Sequence, residues 1–235
     1  LWQVVLGEGE VVGPALVDAV DCVGFTGSTA TGREVATRAA GRLVSASLEL
    51  GGKNPLVVRA DADVAAAAAG AVVSSFANTG QMCIHTERIY VHESVYAQFR
   101  DAFVAATEAL RIGQTYDFSV DIGSLVSCRQ LEAVQRHVDD AVRKGARVLT
   151  GGRPLPRLGP LCYAPTVLEG VTDEMLVSAA ETFGPVVALA PFATDEEAVE
   201  LANRGRYGLS ASIWSADTTT AERMAGRIRA EIGRA

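Results

Sequence analysis

Short apolar runs alternate with amphipathic stretches along the first 60 residues. Val4–Leu6, Cys22–Phe25, Leu43–Leu50 and Leu56–Val58 read as strands, with helices expected from about Pro14 and over Thr29–Ala40. Proline suits a first helical position, where its missing N–H is not needed. This βαβ rhythm points to an α/β fold with a parallel sheet of the dinucleotide-binding, Rossmann-like sort. Further on, Asp63–Phe76 forms an Ala-rich helical pattern that Asp61 or Asp63 would cap, with Gly80 beyond its end. Arg88–Val91 reads as a strand, and Ser94–Leu110 and Arg129–Lys144 as amphipathic helices, the second stopped by Gly145. The glycines and prolines of residues 151–165 predict a loop. Strands are expected at Val186–Leu189 and Ser210–Trp214, a helix at Asp195–Asn203, and a last helix from Asp217 to about Ile232.

The chain has 235 residues, 49% hydrophobic and 21% charged, which is enough to bury a sizeable core and is not the composition of a disordered segment. With 21 basic and 28 acidic residues the net charge is −7, so there is no basic footprint for nucleic acid or anionic lipid. The longest apolar run, Val64–Val73, is well short of the about 18 residues that a membrane span needs. The sequence opens Leu-Trp-Gln, with no initiator Met and no basic leader, and so reads as beginning inside a longer chain. Its four cysteines (Cys22, Cys83, Cys128, Cys162) lie far apart. That spacing fits reduced thiols in a cytoplasm better than a disulfide framework or a zinc site.

Several segments carry candidate chemistry. Gly7–Gly13 is one residue longer than a G-x-G-x-x-G loop and holds two glutamates, so an ordinary turn is the better reading. Phe25-Thr26-Gly27-Ser28-Thr29 stands at a strand-to-helix junction, where free N–H groups and the helix dipole favour a phosphate. The same residues serve equally as a capped helix start. Glu49, between Leu48 and Leu50 and before Gly51-Gly52-Lys53, is either a general base with a carboxyl raised by desolvation or a strand-edge acid facing water. Cys83 lies in a loop after Gly80-Gln81-Met82, as a nucleophile or a structural thiol, whereas Cys22 in its apolar strand reads as core. His85 is close enough to raise a Cys/His hydrolase, but a packed or solvated histidine is the simpler reading. Glu181-Thr182-Phe183-Gly184-Pro185 places an acid and an aromatic just before a strand. Three histidines leave little material for a metal site, and none is expected.

Taken in order, these pieces resemble the aldehyde dehydrogenase superfamily. The matching motifs are Phe25-Thr26-Gly27-Ser28-Thr29 with Gly32, Glu49-Leu50-Gly51-Gly52-Lys53, Gly80-Gln81-x-Cys83 with Arg88, and Glu181-x-Phe183-Gly184-Pro185. The wording from Cys83 to Val91 is most similar to the succinate-semialdehyde dehydrogenase-like branch. The resemblance implies a cofactor, NAD or NADP, and an aldehyde substrate. Cys83 would attack the aldehyde, its backbone N–H would serve as an oxyanion donor, and Glu49 would activate the hydrolytic water. Gly27, Ser28, Thr29 and Gly32 would line the pyrophosphate and adenosine end, with Ser28 a phosphate ligand. The Leu50 carbonyl would meet the carboxamide, Glu181 the nicotinamide ribose, and Phe183 would pack nearby.

The resemblance also implies that this is a partial chain. Residues 1–50 would be an incomplete dinucleotide-binding domain and 51–235 a catalytic domain lacking its C-terminal end, with a second oxyanion donor upstream of Leu1. The parent enzyme would be a cytoplasmic homo-oligomer, dimer or tetramer, and the fragment alone would have little or no activity. The competing readings are a non-catalytic remnant serving as an interaction module and a cofactor-free thiol esterase.

Overall fold

A computed structural model describes residues 2–117 and 119–234, and the chain separates into two units, Leu1–Gly51 and Gly52–Ala235. The first unit runs α1 (Gly9–Ala19), β1 (Cys22–Thr26), α2 (Thr29–Gly41), β2 (Ser45–Glu49). The two strands pair in parallel, from Cys22 opposite Ser45 to Thr26 opposite Glu49, and a small core of Val17, Val23 and Ala39 lies beneath them. Only one face of this sheet is covered, so β1 alternates and buries Val23 while Cys22 is exposed. That corrects the reading of Cys22 as core. Val4–Leu6 forms no strand; all three side chains are exposed and no neighbouring strand pairs with them among the described residues. Helix α1 begins at Gly9 rather than near Pro14, which lies inside it, so Gly7–Gly13 is the approach to a helix and its first turns.

The second unit carries a seven-stranded sheet. Its elements are β3 (Asn54–Val58), α3 (Val64–Phe76), β4 (Thr86–His92), α4 (Glu93–Glu108), α5 (Cys128–Arg143), β5 (Arg147–Thr150), β6 (Thr166–Glu169), α6 (Leu176–Ala179), β7 (Val186–Phe192), α7 (Asp195–Ala202), β8 (Ser210–Trp214), α8 (Thr218–Ala225) and β9 (Ile232–Arg234). The strand order is β5-β6-β7-β4-β3-β8-β9, parallel throughout except for β5 against β6. Central strands covered on both faces read as continuous apolar runs, and β3 is buried along its whole length. On one face α3 and α4 stack Phe76, Phe99 and Phe103, with ring centroids 6.0 and 5.7 Å apart. On the other, Ala198, Val199 and Ala202 of α7 and Ala221 and Met224 of α8 pack against Val57, Tyr90 and Ile213.

Helix starts follow the side chains that cap them. Asp63 Oδ1 accepts the N–H groups of Ala65 and Ala66 at the head of α3, and Ser127 Oγ accepts that of Gln130 in α5. Gly145, at φ +100°, follows the end of α5 in a conformation that side chains rarely adopt. The last helix is shorter than its pattern predicts. It stops at Ala225, and Ile232–Arg234 instead adds a parallel strand to β8, whose N–H and C=O groups would otherwise lie at the sheet edge.

Asn54, Thr86, Val186 and Ser210 each begin a parallel strand, so the segments before them gather at the amino-terminal rim of the sheet. The motifs around Gly52, Cys83 and Glu181 all lie on that rim.

Candidate active site

The turn bearing Cys83 is built by left-handed backbone. Asn78, Thr79 and Gly80 have φ of 52°, 60° and 67° after the end of α3. A Cβ on Gly80 would lie 2.3 Å from the Gly184 carbonyl oxygen, so the loop holds glycine there for close approach as well as for its φ. Gln81 fastens the turn to the neighbouring loop: its Nε2 donates to the Ser124 carbonyl (3.3 Å) and its Oε1 accepts the Val126 N–H (2.8 Å). Cys83 itself is half-buried, and its N–H donates to no acceptor among the described residues of this unit. Asn54 Nδ2 donates to the carbonyls of Cys83 (2.7 Å) and His85 (2.8 Å). A Cβ on Gly52 would come within 2.6 Å of both the Cys83 carbonyl oxygen and Asn54 Oδ1.

Glu181–Gly184 lies beside this turn. The Gly52 N–H donates to Glu181 Oε1 (3.0 Å), and burial raises the Glu181 carboxyl against the pull of that hydrogen bond. Beneath it, Glu87 is fully buried and paired with Lys53, also buried. The register of β3 against β4 jumps from Asn54–Thr86 to Pro55–Arg88, so Glu87 is the extra residue of a β-bulge. Its carboxylate accepts the N–H groups of Thr182 (2.9 and 3.1 Å) and Phe183 (3.2 Å). Burial alone would raise Glu87; the Lys53 ammonium, foremost among the groups around it, holds it down at about 2. The same burial lowers Lys53, opposed by Glu87. Phe183 stands at φ +51°, held by this N–H contact and by Gln130 Nε2, which donates to the carbonyls of Thr182 (2.9 Å) and Phe183 (2.8 Å).

Helix α5 presents Gln130, Val134 and His137 to this segment, one helical face at i, i+4 and i+7. A Cβ on Gly184 would meet Val134 Cγ2 at 2.3 Å, and His137 Nδ1 lies 3.1 Å from Thr182 Oγ1. Burial, then the nearby Lys53 charge, lowers His137 to about 4. Arg88 is structural: its guanidinium donates to the carbonyls of Lys53 (2.7 Å), Leu201 (3.3 Å), Ala202 (3.1 Å) and Arg204 (3.0 Å), covering the C-terminus of α7. His85 is a packed histidine with Nδ1 2.6 Å from the Met82 carbonyl and its ring edge-on to Phe183, not a base beside Cys83.

In the first unit the Gly27 N–H donates to the Glu49 carbonyl (3.0 Å), while the Glu49 side chain is exposed at the end of an edge strand. That side chain faces water. Ser28 Oγ caps α2, accepting the Thr31 N–H (3.2 Å). Thr29 and Ala30 open the helix, where the first N–H groups have no intrahelical acceptor. Gly32 is buried, and a Cβ there would meet Leu50 Cδ2 at 2.4 Å, so this glycine lets α2 pack on Leu50.

Each unit, taken by itself, holds polar groups left open. The open helix start after β1 is a donor set for phosphate. In the second unit, Glu181 Oε2 has no partner among the described residues. Among the described residues there is no cluster of metal-ligating side chains, and no helix is long and apolar enough to cross a membrane.

The sequence motifs pass over Asn54, Glu87, Gln130 and His137. A polar residue opening an otherwise apolar strand was the available signal for Asn54, and an acid inside the apolar pattern Arg88–Val91 adjoins was the signal for Glu87. Nothing short of the fold places Gln130 and His137, about 50 residues from their partners.

The aldehyde dehydrogenase family model matches residues 1–233. A Mycobacterium bovis protein provisionally named NADP(+)-linked succinate-semialdehyde dehydrogenase 2 is 48% identical over 229 residues, 97% of this chain and 44% of that relative. The 2-aminomuconic semialdehyde dehydrogenase of Danio rerio is 40% identical over 98% of this chain and 49% of its own length. The crystal structure of betaine aldehyde dehydrogenase from Staphylococcus aureus in complex with NAD+ superposes with a TM-score of 0.94 at 31% identity, covering 98% of this chain and 46% of that one. The chain thus spans about half the length of the relatives it matches. On the match along its length, and with the α/β architecture those structures share, the chain belongs to the aldehyde dehydrogenase family.

Proposed function

We propose that this chain supplies the nucleophile and much of the cofactor site of an enzyme that oxidises an aldehyde to a carboxylic acid with NAD or NADP. The observation that carries the reading is Cys83 itself: a half-buried thiol on a fastened turn, with its own N–H unpaired among the described residues and Glu181 held one segment away. Cys83 Sγ adds to the aldehyde carbon to give a thiohemiacetal, and its N–H donates to the oxygen that gains charge. When bound, NAD(P)+ supplies the hydride acceptor through which the adduct becomes a thioester. Glu49 takes a proton from water, which adds to the thioester carbon, and the Cys83 thiolate leaves. Gly27, Ser28, Thr29 and Gly32 form the phosphate end of the cofactor site, and Leu50, Glu181 and Phe183 its nicotinamide end. In this reading residues 1–50 belong to the dinucleotide-binding domain and 51–235 to the catalytic domain.

The substrate is a semialdehyde, with succinate semialdehyde first and NADP+ the preferred acceptor. The names of the relatives at 48% identity support this. Free thiols at all four cysteines support a reducing, cytoplasmic setting. By itself the 235-residue chain has little or no activity, because it spans under half of those relatives. The test is aldehyde-dependent NADP+ reduction by this chain and by a protein carrying it at the relatives' full length, each with Cys83→Ser alongside. The reading requires turnover in the long form that is lost in Cys83→Ser. Turnover of about 1 per second or faster in the short chain overturns the inactivity of the fragment, and turnover that survives Cys83→Ser overturns the mechanism.

A further inference from the structure

Asn54 touches the proposed nucleophile's turn from the sheet. Its Nδ2 donates to the carbonyls of Cys83 (2.7 Å) and His85 (2.8 Å), the two ends of the turn entering β4. Its Oδ1 accepts the Ser210 N–H at the head of β8 (3.0 Å). A backbone N–H can only donate and a carbonyl can only accept, so these three partners fix which way the amide faces. Asn54 is buried and opens β3, a strand that is apolar after it. A buried amide with all three contacts satisfied is rigid, and its NH2 end ties together the carbonyls at the two ends of the turn. Gly52, two residues earlier, leaves the space through which the Cys83 carbonyl reaches this amide.

We propose that Asn54 is a positioning residue for Cys83: it holds the turn so that the thiol and the Cys83 N–H face outward together, and it keeps the thiol reactive. The proposal rests on the reading of Cys83 as the nucleophile. It goes beyond that reading in assigning the preparation of the thiol to one amide on a neighbouring strand.

The four cysteines make the test internal to the chain, since Cys22 and Cys128 are exposed, Cys83 is half-buried and Cys162 is buried. Iodoacetamide labelling of the native chain, Asn54→Leu and Asn54→Ser is followed at each cysteine by mass spectrometry. The expected result is that Asn54→Leu, which removes both hydrogen bonds to the turn, slows Cys83 by at least about tenfold relative to Cys22 and Cys128. Cys162 stays unlabelled, and Asn54→Ser, which keeps a hydroxyl donor, recovers part of the rate. Unchanged Cys83 labelling in Asn54→Leu overturns the proposal. So does labelling of Cys162 in both variants, which would make Asn54 a support of the whole unit rather than of the turn. If native Cys83 reacts no faster than Cys22 and Cys128, the nucleophile reading itself fails, and that outcome is visible before any substitution is made.

Discussion

The Gly27 N–H donates to the Glu49 carbonyl across 3.0 Å, which ties the turn before α2 to the end of β2 through main chain alone. The Glu49 side chain takes no part in that bond and is exposed, so it can be changed without disturbing the turn. Glu49→Gln in the full-length protein is expected to leave the first, hydride-yielding turnover intact and to slow steady-state turnover by about 10²–10⁴-fold, the usual contribution of a general base. A rapid-mixing experiment checks this: a burst of reduced cofactor followed by a slow phase is expected. Loss of the burst along with turnover would remove Glu49 from the hydrolytic step.

Arg88 is a motif residue whose role the fold makes structural. Four carbonyls surround its buried guanidinium, two of them in the last turn of α7. Arg88→Met removes a charged donor from all four carbonyls, of which Leu201 keeps a backbone N–H partner, and we expect a loss of about 2–4 kcal/mol. Arg88→Lys recovers less than half of it, because an ammonium on a flexible stem cannot span the carbonyls as a planar fork does. Urea unfolding of the chain measures both, and equal stability of the two variants would refute the geometric argument.

Of the strands legible in the sequence, β3 and β7 are continuous apolar runs largely buried on both faces, whereas β8 shows the period-2 alternation of buried and half-buried positions. β5 and β6 are four residues each and flank the Gly- and Pro-rich loop, so neither offers a pattern long enough to read. Val4–Leu6 has a strand's composition and lacks a strand to pair with among the described residues. Cys83 and Glu181 were visible through motif spacing. Asn54, Glu87 and His137 were not, because their meaning lies in contacts between segments 29 to about 100 residues apart. Open parallel sheets usually bind ligands at the carboxyl ends of their strands. Here the cysteine turn lies at the amino-terminal rim, because Cys83 directly precedes the parallel strand β4.

The buried pair of Lys53 and Glu87 holds the segment carrying Glu181 and Phe183, and it makes the second unit acid-sensitive. Glu87 is held at about 2 in the fold against an ordinary 4.5, so the folded state keeps a charge that the unfolded chain gives up first. Its contribution is complete above about pH 4.5 and is lost as pH falls towards 2. Glu87→Leu leaves the Lys53 ammonium buried without its partner and is expected to cost about 3–5 kcal/mol at neutral pH. Adding Lys53→Met to Glu87→Leu removes that stranded charge, and the double variant should be more stable than Glu87→Leu alone. A thermal denaturation series of the three proteins decides it, and a double variant less stable than the single one would mean the ion pair is not what holds the segment.

His137 acts in a separate window. It is neutral in the fold, lowered to about 4 from an ordinary 6.5 by burial first and by Lys53 second. Above pH 6.5 neither the folded nor the unfolded chain protonates it, and stability is unaffected. Between 6.5 and 4 the unfolded chain takes up a proton that the folded chain refuses, so stability falls as pH falls. Below 4 both states carry the proton and the slope from this residue ends, while that from Glu87 and the other lowered carboxylates continues. The loss across the window is expected to be at most about 3 kcal/mol. His137→Gln keeps a polar group near Thr182 and cannot titrate, so urea unfolding between pH 7 and 4 should show a shallower decline than in the native chain. A decline of the same steepness in both would place the acid sensitivity of this window elsewhere.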